Sequence, residues 1–299
     1  MSAARRRGAG PATAAALAAL ALTPLALAGC GAGDPSASAA GAGGPAVLAT
    51  PPAMLEVVER VGGEDVTASG PAPAGADAHA VELTGEQVAA VVEADVVVHV
   101  GGLSPSVDEA VALREGPGEV DAAQVDPRGE RDPHVWLDPE VVADVAGLVA
   151  DELSAADPGG AEGYARRARE YADEMEALDA DLAEVLAPCR GAVLVTAHEA
   201  FGYLADRYGL EQLGITGVDP HVEPTPARMR AVAEEVRAAG VRTVFFDQVT
   251  STGVARTLAD EVGVTTAVLS PLETSVDPDY ATAMRANGEA LRDGLVCEG

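Results

Sequence analysis

Lysine is absent from the chain: all 19 basic residues are arginine, a coding bias that carries no mechanistic information. Aromatic residues make up only 3% of the 299 positions. That scarcity argues against a base-stacking nucleic-acid surface and against a platform for sugar rings. Positive charge is scarce too. Against 48 acidic residues the formal net charge is −29, a field that repels polyphosphates and draws cations. No nucleic-acid partner is expected, and most of the charge reads as a solvated acidic surface. Only five histidines and three cysteines are present, and no HExxH pair occurs among them. The helix-borne signature of zinc proteases is therefore missing.

Apolar residues reach 48%, enough to bury one large core or two modest ones. The first thirty residues stand apart from the fold. Arg5, Arg6 and Arg7 precede an uncharged stretch from Gly8 to Gly29 rich in Ala and Leu, which contains Pro24 and ends in small residues. This is the pattern of a cleaved signal peptide over residues 1–29 rather than of a membrane-spanning helix. Its end, Leu27-Ala28-Gly29-Cys30, resembles the bacterial lipobox, which implies that Cys30 is lipidated and holds the mature chain to the outer face of a membrane. A cleaved leader with an incidental cysteine is the alternative. Residues 30–45 then form the lipidated Cys30 and a flexible tether, since Gly31 to Gly44 consists of small and polar residues that cannot bury a core.

Beyond the tether, short apolar runs alternate with amphipathic segments. Asp95 to Val100, Ala192 to Thr196, Thr243 to Phe246 and Thr266 to Leu269 read as buried strands; Thr84 to Glu93 and Pro226 to Ala239 read as helices. Strands alternating with helices predict an α/β fold with parallel sheets. One segment differs: from Tyr164 apolar residues recur at Ala168, Tyr171, Met175, Leu178, Leu182 and Val185, with Arg, Glu and Asp between them. That spacing predicts a long helix with a narrow apolar stripe, stopped by Pro188. We expect an N-terminal α/β lobe over 46–157, a rigid connecting helix over 158–188 and a C-terminal α/β lobe over 189–299. A dimerising coiled coil is the other use for such a stripe. Cys189 and Cys297 form an even pair in an exported chain, which suits a disulfide; two separate buried thiols are the alternative.

Three histidines fall where loops leave the expected sheets: His79, His134 in Asp132 to Pro139, and His198 directly after a strand. Glu273 follows another strand. Ligands of open α/β sheets bind beyond the carboxyl ends of strands. Three imidazoles and one carboxylate suit Zn2+. The four lie far apart in sequence, so only the fold can assemble them.

The segments Pro73 to Thr84, Asp132 to Pro139, Ala197 to Leu204 with Arg207 to Leu210, and Glu223 to Pro226 together resemble the zinc/manganese solute-binding proteins of ABC metal importers, the ZnuA-like family. The likeness runs from about Val47 to Cys297. It implies two Rossmann-like lobes joined by a long rigid backbone helix, with the metal in the cleft between them. It also implies His79, His134 and His198 as nitrogen ligands and Glu273 as the carboxylate ligand. Manganese-binding relatives place a carboxylate where this chain has His198, so zinc is favoured and Mn2+ or iron is the alternative. The implied partners are a membrane permease and its ATPase, the implied state is a monomer, and no enzymatic activity is expected. A surface adhesin on the same fold and, last, an envelope zinc hydrolase are the rival readings.

The chain departs from the family pattern in places. Ala78 stands where proline often precedes the first histidine, Asp247 stands where glutamate is common, and the stretch Arg114 to Arg131 is acidic and lacks histidine. Asp138 and Glu199 are candidates to orient imidazoles, or to cap helices. His99 is expected to pack inside a strand, and His221 to sit at the surface or between the lobes.

Overall fold

The computed structural model describes residues 44–71, 75–129, 131–247 and 252–297. The leader 1–29, Cys30 and the tether through residue 43 lie outside the described residues, as do Pro73 and Ala74 of the first histidine segment and Glu130 of the acidic stretch. The first half runs β1 (Ala46–Ala49), α1 (Pro52–Gly62), β2 (Thr67–Ser69), α2 (Gly85–Glu93), β3 (Val96–His99), α3 (Pro105–Val111) and β4 (Glu119–Asp121). Its strands form a parallel sheet in the order β2-β1-β3-β4. Two helices follow, α4 (Pro139–Ala156) and α5 (Ala161–Leu186). The second half repeats the first pattern with β5 (Val193–Thr196), α6 (Gly202–Tyr208), β6 (Glu211–Gly214), α7 (Pro226–Ala238), β7 (Thr243–Phe246), α8 (Thr252–Val262), β8 (Thr265–Val268) and α9 (Tyr280–Gly294). Its parallel sheet has the order β6-β5-β7-β8.

The sheets owe their placement to strand composition. All four residues of β3 and of β7 are buried, because central strands of a parallel sheet are covered on both faces. The strand at Thr265–Val268 departs from the buried reading. Three of its residues are exposed and Ala267 is half-buried, since it is the edge strand and presents one flank to solvent.

Along α5 the buried residues are Tyr164, Ala168, Tyr171, Met175, Leu178, Leu182 and Leu186. Leu186, rather than the half-buried Val185, closes the stripe. The helix lies along α4 and also packs on α1 and α9, so its stripe is covered from within the chain and offers no coiled-coil seam. Past Leu186 the chain makes a single 3-10 turn, Ala187–Cys189, with Pro188 inside it. Cys189 is joined to Cys297 by a disulfide. One continuous core runs from Val47 and Met54 through Tyr171 and Leu178 to Met284 and Leu291. It thus binds both halves and the long helix into one apolar mass. Smaller clusters fill the outer layers of each sheet.

Helix starts delimit the loops that carry the histidines. Thr84 and Gln87 form a capping box at α2. Asp138 caps α4 by accepting from the Glu140 N–H at 3.0 Å, with Pro139 in the first helical position.

Candidate metal centre

His79 and His134 are braced by the same local device. In Asp77-Ala78-His79 the Asp77 Oδ1 accepts the His79 backbone N–H at 2.9 Å. In Asp132-Pro133-His134 the Asp132 Oδ1 accepts the His134 N–H at 3.0 Å. An aspartate two residues ahead thus fixes the turn that presents each ring. His198 stands two residues past the end of β5, where Thr196 Oγ1 donates to its carbonyl at 2.7 Å. Glu273 lies in the loop after β8.

These four side chains converge. One ligand atom from each of His79, His134, His198 and Glu273 can be chosen so that all lie within 4.8 Å of one another. The Nε2 atoms of His79 and His134 are 3.2 Å apart. Glu273 Oε1 stands 3.1 Å from His134 Nε2, 3.2 Å from His198 Nε2 and 3.6 Å from His79 Nε2. Ligands at about 2.1 Å from a tetrahedral zinc would be about 3.4 Å apart, so the spacing fits such an ion. His134, His198 and Glu273 are only 0%, 1% and 2% exposed, while His79 is half-buried at the residue level. Glu273 also lines a cavity of about 940 Å³ bounded by Thr50, Leu55, Glu56, Ala76 and Ala78.

The electrostatics of the ion-free cluster are those of an acid held by three bases. Burial pushes the Glu273 carboxyl up, but hydrogen bonds from His134, His198 and His79 outweigh it and hold the group well below the usual carboxylate range. Burial pulls His134 down, whereas its hydrogen bonds to Asp132 and Glu273 drive it up to about 9. The Asp132 Oδ1 lies 2.7 Å from His134 Nδ1, the arrangement that leaves Nε2 to face an ion and makes the ring more basic. His198 Nδ1 stands 3.7 Å from Asp247 Oδ2.

The backbone segments that carry His134 and Glu273 are locked across the two halves. Trp136 Nε1 donates to the Pro271 carbonyl at 2.7 Å, and Tyr280 Oη donates to the Trp136 carbonyl at 2.6 Å. Tyr280 N, at the start of α9, donates to Glu56 Oε2 of α1 at 2.7 Å.

Asp138 and Glu199 do not orient the imidazoles. Asp138 points back to cap α4 and lies 3.4 Å from Arg207 and 3.9 Å from Arg128. Glu199 faces outward, 3.8 Å from Arg228. The acid that orients an imidazole is Asp132; the Asp-x-His triplet alone does not reveal it, since Asp77 braces only the backbone of His79 and Asp219 braces His221 in the same way outside the cluster. His99 is buried with Nε2 3.1 Å from Glu119 Oε1, apart from the cluster. His221 Nε2 stands 3.2 Å from Asp77 Oδ2, so it touches the acid that braces His79 but not the cluster itself.

Residues 47–294 match the family model for the zinc-uptake complex component A, periplasmic. The chain belongs to the ZnuA family. A zinc-binding protein AdcA of Streptococcus pyogenes is 41% identical over 167 residues, covering 54% of this chain and 32% of that protein. The chain therefore spans about a third of the length of that family relative. Among solved structures, the laminin-binding protein Lbp of Streptococcus pyogenes superposes with a TM-score of 0.75 at 29% identity, over 85% of this chain and all of that one. The Zn(II)-bound ZnuA-like domain of Streptococcus pneumoniae AdcA gives 0.72 at 30% identity, over 84% of this chain and 99% of that domain.

Proposed function

We propose that this member of the ZnuA family is the extracytoplasmic zinc-binding component of an ABC-type metal importer, capturing the ion and handing it to a membrane permease driven by an ATPase. The observation that carries the proposal is the convergence of His79, His134, His198 and Glu273 on one buried point. Three nitrogens and one carboxylate oxygen form a closed four-ligand set, the donor chemistry of zinc; a second carboxylate would favour the harder Mn2+. With no ligand position left open, the site suits holding an ion rather than activating a water, and no enzymatic step is assigned. The zinc-binding AdcA relative and the Zn(II)-bound ZnuA-like domain support the choice of metal.

Zinc is cargo here, and the protein's work is to bind it and let it go. Two ligands come from each half, so a small displacement of one half against the other would pull nitrogens away from the ion. The buried Trp136–Pro271 and Tyr280–Trp136 bonds hold His134 and Glu273 to each other. His79 is held to the second half by the Gly75 N–H on the Thr274 carbonyl at 3.2 Å and by the half-exposed Asp77–His221 pair. Of the four, His79 is the ligand whose tether meets solvent. Attachment through Cys30, with removal of residues 1–29, would keep the monomeric domain beside its permease on the outer membrane face.

Elemental analysis of the purified chain after competition between Zn2+ and Mn2+ tests the metal. His198→Ala tests the site: zinc affinity should fall by roughly a hundredfold or more, since loss of even an outer hydrogen-bond partner costs 10–100-fold. Unchanged affinity in His198→Ala would overturn the ligand assignment.

A further inference from the structure

The first residue of α6, Gly202, sits against Asp132 in a way that its own backbone does not require. Its φ lies outside the left-handed region, so the backbone at this position would accept an ordinary side chain. What the position lacks is room. A Cβ there would lie 2.5 Å from Asp132 Oδ2 and 3.7 Å from its Cγ, with Gln212 Oε1 at 3.5 Å. The first distance is too short for any real side chain, and the atom in the way is the free end of a carboxylate. That same carboxylate, through Oδ1, holds both the backbone N–H and the Nδ1 of His134.

We infer that Gly202 is a positioning residue for metal capture: by leaving space in the second half of the chain, it lets Asp132 of the first half orient His134. The inference rests on the ligand reading above. A methyl group at this position must displace Asp132, the cheapest atom to move, and the carboxylate then rotates or withdraws from the ring. His134 loses the partner that fixes its tautomer and aims Nε2 at the ion. Because Gly202 and Asp132 belong to different halves, the contact also makes the orientation of a first-half ligand depend on the seating of the second half.

The test is a double-mutant cycle on the full chain, with zinc affinity read by chelator competition and folding read by thermal unfolding of the ion-free protein. Gly202→Ala should weaken zinc about tenfold, the lower end of the cost of losing an outer partner, and the ion-free variant should still unfold cooperatively, at a somewhat lower temperature because His134 loses the carboxylate that holds its ring and its N–H. Asp132→Ala should weaken it at least as much. Adding Gly202→Ala to Asp132→Ala should cost nothing further, because the carboxylate that the methyl group would displace is gone. The hydrogen-bonded Nδ1 proton of His134, a downfield imidazole resonance in the zinc-loaded protein, should vanish or shift in Gly202→Ala. Wild-type affinity together with an unmoved resonance in Gly202→Ala, or losses that multiply in the double variant, would overturn the inference. If His198→Ala weakens zinc while Gly202→Ala does not, only this inference fails; if His198→Ala binds as the parent does, the ligand reading fails with it.

Discussion

At the scale of single residues, the chemistry turns on where the proton of His134 resides. With Nδ1 turned toward Asp132 and Nε2 toward Glu273, the ring is held protonated up to a pKa of about 9 in the ion-free protein. A raised histidine pKa stabilises the folded state fully below the unfolded value near 6.5, and that contribution is lost as pH rises through about 9. A zinc ion held by His134 would need the Nε2 lone pair, so at neutral pH it would displace that proton. We predict that zinc binding at pH 7 releases about one proton from His134, and that affinity falls about tenfold for each pH unit of acidification per proton displaced. Titration calorimetry in buffers of differing ionisation enthalpy measures the release. A heat of binding that does not change with the buffer would contradict it.

At the scale of elements, the packing of α6 onto α4 and α5 is organised by arginines. Arg207 donates to both oxygens of Asp179, at 2.6 and 2.8 Å, and Tyr208 Oη adds a third hydrogen bond at 3.0 Å. Arg207 also pairs with Glu140 at the start of α4. Arg128 meets Asp126 at 2.9 Å and reaches across to Asp206 of α6 at 3.0 Å. The hydrogen bonds from Arg207 hold Asp179 below its ordinary value against the opposing effect of burial, and Arg128 does the same for Asp126. For a depressed carboxylate the contribution is present above the unfolded pKa of about 3.9 and is lost as pH falls through the lower folded value. Asp179→Asn should therefore cost about 1–2 kcal/mol at pH 7, and its deficit against the parent should shrink once pH drops below about 3.9. Urea unfolding across pH 2–7 gives both numbers; a deficit that is constant with pH would show that the Arg207–Asp179 charge pair is not its source.

At the scale of the whole molecule, the two halves are bound by the shared core, the long helix and the disulfide. Cys189 and Cys297 are 108 residues apart, so the bridge closes nearly the entire second half of the chain. Cross-links around loops of this length restrict the unfolded chain and typically stabilise by about 2–4 kcal/mol. The Cys189→Ser/Cys297→Ser variant should lose about that much in chemical unfolding while keeping its zinc affinity, because neither cysteine is among the four converging ligands. A loss of affinity without a loss of stability would show that the bridge shapes the site instead.

Much of this architecture was written in local patterns. The apolar runs at β3, β5 and β7 and the heptad-like stripe of α5 depend on neighbours within a few residues, and such periodicity survives in one dimension. The four candidate ligands stood out only through the order of the motifs, since nothing local relates His79 to Glu273. Other features stayed hidden for physical reasons. The exposure of β8 depends on its place at the sheet edge, which its Thr-Thr-Ala-Val composition does not reveal. Asp138 and Glu199 looked like orienting acids because they adjoin histidine segments, yet helix capping and an outward aim take them elsewhere. By itself the sequence determined the element types, the turn-bracing Asp-x-His triplets and the supply of nitrogen and oxygen donors, because bonded geometry and short-range hydrogen bonding decide these. The tertiary structure alone decided that three imidazoles and a carboxylate share one point, that Asp132 rather than its neighbours aims His134, and that Gly202 leaves the room for it. Those are contacts between residues tens of positions apart, set only when two separately built halves close on a common core.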